Sequence, residues 1–290
     1  MDRLSYWLVV GALYPLSKLP FGALYLLSDF AYYIMYYLVR YRRKVVYQNL
    51  SRAFPEKTEQ DITDIAKKFY RSFCDIIIEN VKFLTISAYE LEQRFQITNH
   101  EVVDELYNQR RSAITTLGHM GNWEMAGLNA SHTVGHHSLA IYKPLKNKHF
   151  DELARKMRAR FGMELVAQNR MRHLLTTLDK EACLFHFITD QTPGGKAPSH
   201  WMTFMNQEAP IYLGTERVAK MTNLPVFYCH ILRQKRGYYT LELKVVTDDP
   251  SACAPNEITE KHTRLLEANI REQPESWLWS HRRWKHKKPN

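Results

Sequence analysis

The sequence is poor in cysteine. Cys74, Cys183, Cys229 and Cys253 are the four in 290 residues, and no Cys-x-x-Cys occurs. That excludes a disulfide-framed small fold and a zinc ribbon. Cys183 and Cys229 sit in apolar runs and read as buried thiols of a reducing compartment. Glycine (11) and proline (12) are too scarce for collagen-like or low-complexity chains. There is no Walker A motif, dinucleotide fingerprint, H-E-x-x-H or G-x-S-x-G. NTP, NAD, zinc-protease and serine-esterase chemistries therefore have no support. His132, His136 and His137 lack acids at metal-site spacing, so neither a metal nor a cofactor is expected. Acids are the scarcer charge, 30 against 40 Lys and Arg, for a net charge of +10. Such a balance suits nucleic acid, an anionic membrane surface or an acidic protein partner.

Apolar residues are plentiful. Hydrophobic side chains make up 45% and aromatics 12%, enough for a large core and incompatible with disorder as the main state. Residues 4–39 are almost entirely apolar, broken by Pro15, Lys18 and Pro20. The stretch from Leu19 to Val39 has 21 residues and one acid, Asp29, close to the ~20 that span a bilayer core. No small-residue cleavage site follows, which argues against a signal peptide. The cluster Arg40-Tyr41-Arg42-Arg43-Lys44 marks a cytoplasmic flank, and the many tyrosines suit an interface. The segment reads as a membrane helix, spanning or interfacial; a buried core helix is the bland alternative. Two units are expected: a membrane anchor over 1–43 and an α/β domain over 44–290.

Residues 44–83 read as helical, with a loop around Phe54-Pro55-Glu56 and Ile62, Ile65, Ala66, Phe69 and Phe73 at helical spacing. Another helix is expected over 101–109. From residue 112 strand-like runs (113–117, 138–142, 164–167, 183–189, 225–232) alternate with helical ones (123–131, 147–161, 170–180, 213–222). This predicts an α/β fold with a mixed, mostly parallel sheet flanked by helices. A turn at 233–237 joins a last strand over 238–246 as a hairpin, and a helix over 257–271 follows.

The sharpest local signal is Leu117-Gly118-His119-Met120-Gly121-Asn122-Trp123-Glu124, where a strand ends, turns and becomes a helix. The bare His-x-x-x-x-acid pattern is weak and also occurs as His100/Glu105 and His262/Glu267, which fall in helices and read as surface residues. The His119/Glu124 pair spans the carboxyl end of a strand, where α/β folds place ligand sites. There Glu124 would hold one imidazole nitrogen, and the other would take a proton from an attacking hydroxyl or amine. Asn122 is a possible N-cap, and the helix it starts offers N–H groups to an oxyanion. The alternative is a turn-capping histidine beside a first-turn glutamate. Asp190-Gln191, at another strand end, would position His119, bind a substrate hydroxyl or form an Asx-turn. Lys143 ends a third strand and is a candidate phosphate ligand or an ordinary surface lysine.

Taken in order, several motifs resemble the bacterial late lipid A acyltransferase family of lauroyl and myristoyl transferases, within the lysophospholipid acyltransferase-like group. They are the Tyr-rich N-terminus, Asn49-Leu50-Ser51-Arg52-Ala53-Phe54-Pro55, Gly118-His119 with Asn122-Trp123-Glu124, Tyr142-Lys143-Pro144-Leu145-Lys146-Asn147, Asp190-Gln191 and Trp279-Ser280-His281-Arg282-Arg283-Trp284-Lys285. The resemblance covers nearly the whole chain. It implies an enzyme on the cytoplasmic side of the bacterial inner membrane, moving an acyl chain from acyl carrier protein or coenzyme A to a hydroxyl of a lipid A precursor. His119 matches the catalytic histidine and Glu124 its acidic partner; Asn122, Lys143, Asp190 and Gln191 are expected to contact substrate. Lys143 stands where relatives commonly carry arginine, which loses the bidentate fork. Membrane lipids are expected partners and nucleic acid is not. Two rivals are the same transfer to a lysophospholipid, glycolipid or amino acid lipid, and a non-catalytic basic protein binding membrane or nucleic acid.

Overall fold

The computed structural model describes residues 3–145, 147–168, 181–194 and 197–288. The helix expected over 170–180 lies outside the described residues.

Among the described residues a seven-stranded sheet organises the chain. Its strands are β1 (Phe95–Ile97), β2 (Ala113–Leu117), β3 (His137–Tyr142), β4 (Glu164–Ala167), β5 (Cys183–Ile188), β8 (Val226–Lys235) and β9 (Tyr238–Thr247), in the order β1-β9-β8-β2-β5-β3-β4. Only β8 and β9 pair antiparallel, through the tight hairpin; every other pair is parallel. β2 lies between β5 and β8 and is buried at all five residues, as the continuous run Ala-Ile-Thr-Thr-Leu requires. A separate antiparallel hairpin, β6 (Ser199–Phe204) and β7 (Gln207–Tyr212), turns at Met205 and Asn206, both at positive φ.

Helices cover the sheet. They are α1 (Arg3–Ser17), α2 (Phe21–Tyr33), α3 (Arg43–Ala53), α4 (Glu59–Lys82), α5 (Ala88–Arg94), α6 (Glu101–Asn108), α7 (Trp123–Thr133), α8 (Lys148–Arg158), α9 (Gly214–Thr222) and α10 (Glu257–Glu272). α4 starts in a Thr58/Asp61 capping box and buries Ile62, Ala66, Phe69, Tyr70 and Ile76 along one side.

The single N-terminal membrane helix is not found. Among the described residues no helix is long and apolar enough to cross a membrane. α1 ends at Ser17, Pro20 caps α2, and after Tyr33 the chain continues in a π-helical turn, Ile34–Leu38. Pro20 cannot donate the backbone hydrogen bond that a continuous helix needs there. α2 is also fixed by polar contacts. Ser28 Oγ donates to Asp75 at 2.6 Å, and Tyr25 Oη donates to Glu79 at 2.9 Å. Asp29 pairs with Arg236 at 2.6 Å. Phe21, Tyr32 and Tyr36 enter the same core as α4.

The C-terminal segment packs deep. Trp279 is fully buried, meets Phe54 and Trp277, and its indole N–H donates to Pro274 O at 2.6 Å. Arg283 is buried as well; it donates to Pro210 O at 2.8 Å and lies over the Phe204 ring. Trp279→Ala is expected to cost about 3–5 kcal/mol of stability, through the cavity it leaves and the lost indole contacts. Urea denaturation followed by tryptophan fluorescence measures this.

Candidate active site

β2 and β5 are parallel neighbours, with Leu117 opposite Ile188. His119 lies two residues beyond Leu117 and Asp190 two beyond Ile188, so equal steps from paired strand ends bring both to one place. Asp190 Oδ1 is 2.6 Å from His119 Nδ1, and Oδ2 accepts the His119 backbone N–H at 2.8 Å. The Trp277 indole N–H donates to Oδ2 at 2.7 Å. An ionised carboxylate only accepts, so Nδ1 carries the proton and Nε2 keeps its lone pair. The Gln191 amide nitrogen lies 3.2 Å from Nε2 and donates to it.

The turn that presents His119 is built tightly. Gly121 has φ +50°, which disfavours any side chain, and an added Cβ would meet Ile231 and Tyr239 at 3.2 Å. The Gly121 N–H donates to Ser276 O at 2.9 Å, and Met120 pairs with Trp277. Asn122 caps α7 by accepting from Met125 N at 2.9 Å; its amide donates to Glu79 Oε2 at 2.7 Å. Glu79 is fully buried and also accepts from Tyr239 at 2.9 Å.

The electrostatics follow from this packing. Burial raises the Asp190 carboxyl, but the His119 charge and the hydrogen bonds from His119 and Trp277 outweigh it and bring it down to about 2. Burial lowers the His119 imidazole, yet the charge and hydrogen bond of Asp190, with a smaller push from Glu124, hold it above its ordinary value.

Beside His119 opens a cavity of about 430 Å³, between α7 and one face of the sheet. Leu117, Leu128, Leu165, Leu184, Leu241 and Leu243 give it an apolar wall; His119, Glu124, Lys143, Arg158 and Gln191 stand among its polar lining. Its size suits a small-molecule or acyl ligand. Thr115 and His186, 2.7 Å apart, form a polar pair in the wall. Burial pushes the His186 imidazole down to about 4, so it is neutral.

The expected residues fare differently. His119, Glu124, Lys143 and Gln191 do converge on the cavity. Glu124, however, does not hold the imidazole: its carboxylate is taken by Arg158, whose Nε donates at 2.7 Å and whose Nη2 makes a second bond. Asp190 takes the place at Nδ1. It is buried behind His119 rather than open to substrate, and does not line the cavity. Asn122 is fully buried with both ends of its amide engaged, and it shapes the turn. Lys143 is exposed just past its strand end and makes no ion pair among the described residues. Of the other two histidine–acid patterns, His100 bonds Asp104 at 2.6 Å on the surface, whereas His262 is buried rather than exposed. Trp277, Arg158 and Glu79 went unnoticed in the sequence because their partners lie far away along the chain.

The model of the bacterial lipid A biosynthesis acyltransferase family matches residues 1–286. The lipid A biosynthesis lauroyltransferase of Escherichia coli K12 is 21% identical over 96% of this chain and 90% of its own. The palmitoleoyltransferase of the same strain is 20% identical over 97% and 92%. A lipid A biosynthesis acyltransferase of Haemophilus influenzae is 22% identical over 94% and 85%. With a family match that runs almost end to end over a hydrogen-bonded His–Asp pair beside an apolar cavity, this chain is an acyltransferase and belongs to the bacterial lipid A biosynthesis acyltransferase family.

Proposed function

We propose that the enzyme moves a fatty acyl chain from an acyl thioester, acyl-ACP or acyl-CoA, to a hydroxyl of a lipid A precursor, with His119 as general base. The observation that carries this reading is His119, locked by Asp190 with Nε2 available, beside a 430 Å³ apolar-walled cavity. The names of the relatives support the acceptor class.

In the proposed step the acceptor hydroxyl displaces the Gln191 amide and gives its proton to His119 Nε2. Its oxygen attacks the thioester carbonyl, and the Asp190 carboxylate stabilises the imidazolium that forms. The tetrahedral oxyanion forms close to the start of α7 and the Arg158 guanidinium, both sources of positive potential. Collapse breaks the C–S bond, and the thiolate takes the proton back from Nε2. The products are an ester and a thiol; no metal or covalent enzyme intermediate is needed. Glu124 aligns Arg158 and adds negative charge near His119, acting on the base through space. Lys143 meets a phosphate of donor or acceptor at the cavity mouth. The 1–43 segment serves as the membrane-facing part, lying on the inner membrane's cytoplasmic face rather than crossing it.

Incubation with acyl-ACP or acyl-CoA and a lipid A precursor, followed by mass spectrometry, tests the assignment. The expected result is an acyl-sized mass gain on the precursor, reduced about a thousandfold or more by His119→Ala with the fold retained by circular dichroism. A gain only on a lysophospholipid or an amino acid lipid would reassign the acceptor; turnover retained in His119→Ala would remove the base.

The base must be neutral to act. Because His119 is held above its ordinary ~6.5, kcat/KM should rise with pH through a midpoint above that value. Asp190→Asn removes the charge that raises it. The midpoint is then expected to fall, with kcat lower by about 10²–10⁴-fold. Glu124→Gln should move the midpoint less than Asp190→Asn, since Glu124 makes no bond to the ring.

A further inference from the structure

A second cleft shares no lining residue with the acyl cavity. It has a volume of about 720 Å³ and lies between α2, α4 and the β8–β9 hairpin. Five cationic side chains line it, Lys68, Arg71, Arg233, Lys235 and Arg236, against three carboxylates, Asp29, Asp75 and Glu275.

The charges are not evenly paired. Arg233 reaches Asp75 at 2.6 Å; Arg236 reaches Asp75 at 2.7 Å and Asp29 at 2.6 Å. These bonds use up two of the carboxylates and fix the rear of the cleft. Lys68, Arg71 and Lys235 are exposed and make no ion pair among the described residues. Arg71 stacks on the Tyr32 ring at 5.0 Å and Lys235 on Tyr238 at 4.3 Å, so both heads are steered by aromatic faces with their N–H donors unspent on acids. Glu275 is the remaining acid.

The surroundings are apolar. Tyr33 lines the cleft and is itself 57% exposed. It belongs to a stripe on α2 and the following turn, with Leu26 at 72%, Phe30 at 66% and Tyr37 at 49% exposure. Residues 26, 30, 33 and 37 follow helical spacing, and their stripe adjoins Asp29 and Tyr32, which line the cleft. An open apolar strip beside a pocket with spare cations matches an amphiphile with a negative head and hydrocarbon tails. A small soluble anion would have no use for the strip, and an apolar partner none for the three free cations.

We infer that this cleft binds the phosphate headgroup of an anionic membrane lipid through Lys68, Arg71 and Lys235, with the lipid's chains against Leu26, Phe30 and Tyr33. The site is distinct from the His119 cavity and would orient the enzyme on the bilayer, whatever its acceptor. Its test is independent of catalysis.

The intact protein is sedimented with vesicles of phosphatidylcholine, with and without phosphatidylglycerol. The wild type should prefer the anionic vesicles. Lys68→Gln, Arg71→Gln and Lys235→Gln together should erase that preference, with about a hundredfold weaker binding, since each basic side chain near an anionic surface contributes roughly fivefold. Leu26→Ser with Phe30→Ser should weaken binding to both vesicle types. The control is an equal charge loss elsewhere, Arg282→Gln, Lys285→Gln and Lys287→Gln, which should keep the preference; equal loss there would overturn a specific cleft. Unfolding midpoints confirm that the variants fold. Undiminished anionic binding in the cleft variant would overturn the inference. So would binding of inorganic phosphate at matched ionic strength without vesicle binding, which would make the cleft a free-anion site.

Discussion

The carboxylate of Asp190 joins three parts of the chain that meet nowhere else in sequence. It stands at the end of β5, accepts from the backbone and ring of His119 after β2, and accepts from the indole of Trp277 near the C-terminus. A buried carboxylate is expensive unless its oxygens are satisfied, and here three donors satisfy them. The orientation of the His119 ring, the seating of the C-terminal segment and the depression of the Asp190 carboxyl therefore have one cause. Trp277 in turn pairs with Met120 inside the His119 turn, so the segment that secures the acid also secures the backbone beside the histidine.

A second buried acid supports the turn from behind. Glu79 gathers Tyr25, Tyr239 and Asn122, thereby linking α2, β9 and the cap of α7. One turn earlier on α4, Asp75 receives Ser28, Arg233 and Arg236. The two acids have opposite surroundings. Glu79 is enclosed by neutral donors, and burial raises its carboxyl. Asp75 faces guanidinium groups at the back of an open cleft. A single helix thus bolts the N-terminal helices to the sheet and borders both the His119 turn and the charged cleft. This is also why the apolar N-terminus cannot behave as a free membrane helix: its polar side chains, Tyr25, Ser28 and Asp29, are committed to the body of the protein.

Much of the sheet was legible because its strands are continuous apolar runs. The readings of 113–117 and 164–167 coincide with β2 and β4, and the others differ at their ends by a few residues. The histidine was legible too, from its place after such a run. Its partner was legible only as one of three readings of Asp190, behind Glu124. β3 and β4 intervene between β2 and β5 in sequence but not in the sheet, where β5 lies directly against β2. Local spacing favoured Glu124, five residues away, over Asp190, which only strand order brings near. The β6–β7 hairpin escaped for a different reason. Its turn is Met205-Asn206, and a methionine at positive φ gives no turn signal. The long apolar run from residue 4 overstated the case for a spanning helix. Hydropathy sees neither the helix end at Ser17 nor the tertiary partners of Ser28 and Asp29.

The Asp190–His119 pair sets a compromise in the chemistry. Under the proposed mechanism Asp190, by raising the imidazole, makes it a stronger base toward the acceptor hydroxyl, but the same charge protonates more of it near neutrality, and protonated imidazole cannot act. Arg158 works against this, since its positive charge lowers the imidazole while the opposing charge of Glu124 raises it. Removing Glu124 would leave Arg158 unpaired beside the ring, which would make His119 a weaker base and place a free cation at the cavity mouth. Glu124 thus acts on His119 without touching it: it offsets the Arg158 charge that the imidazole feels.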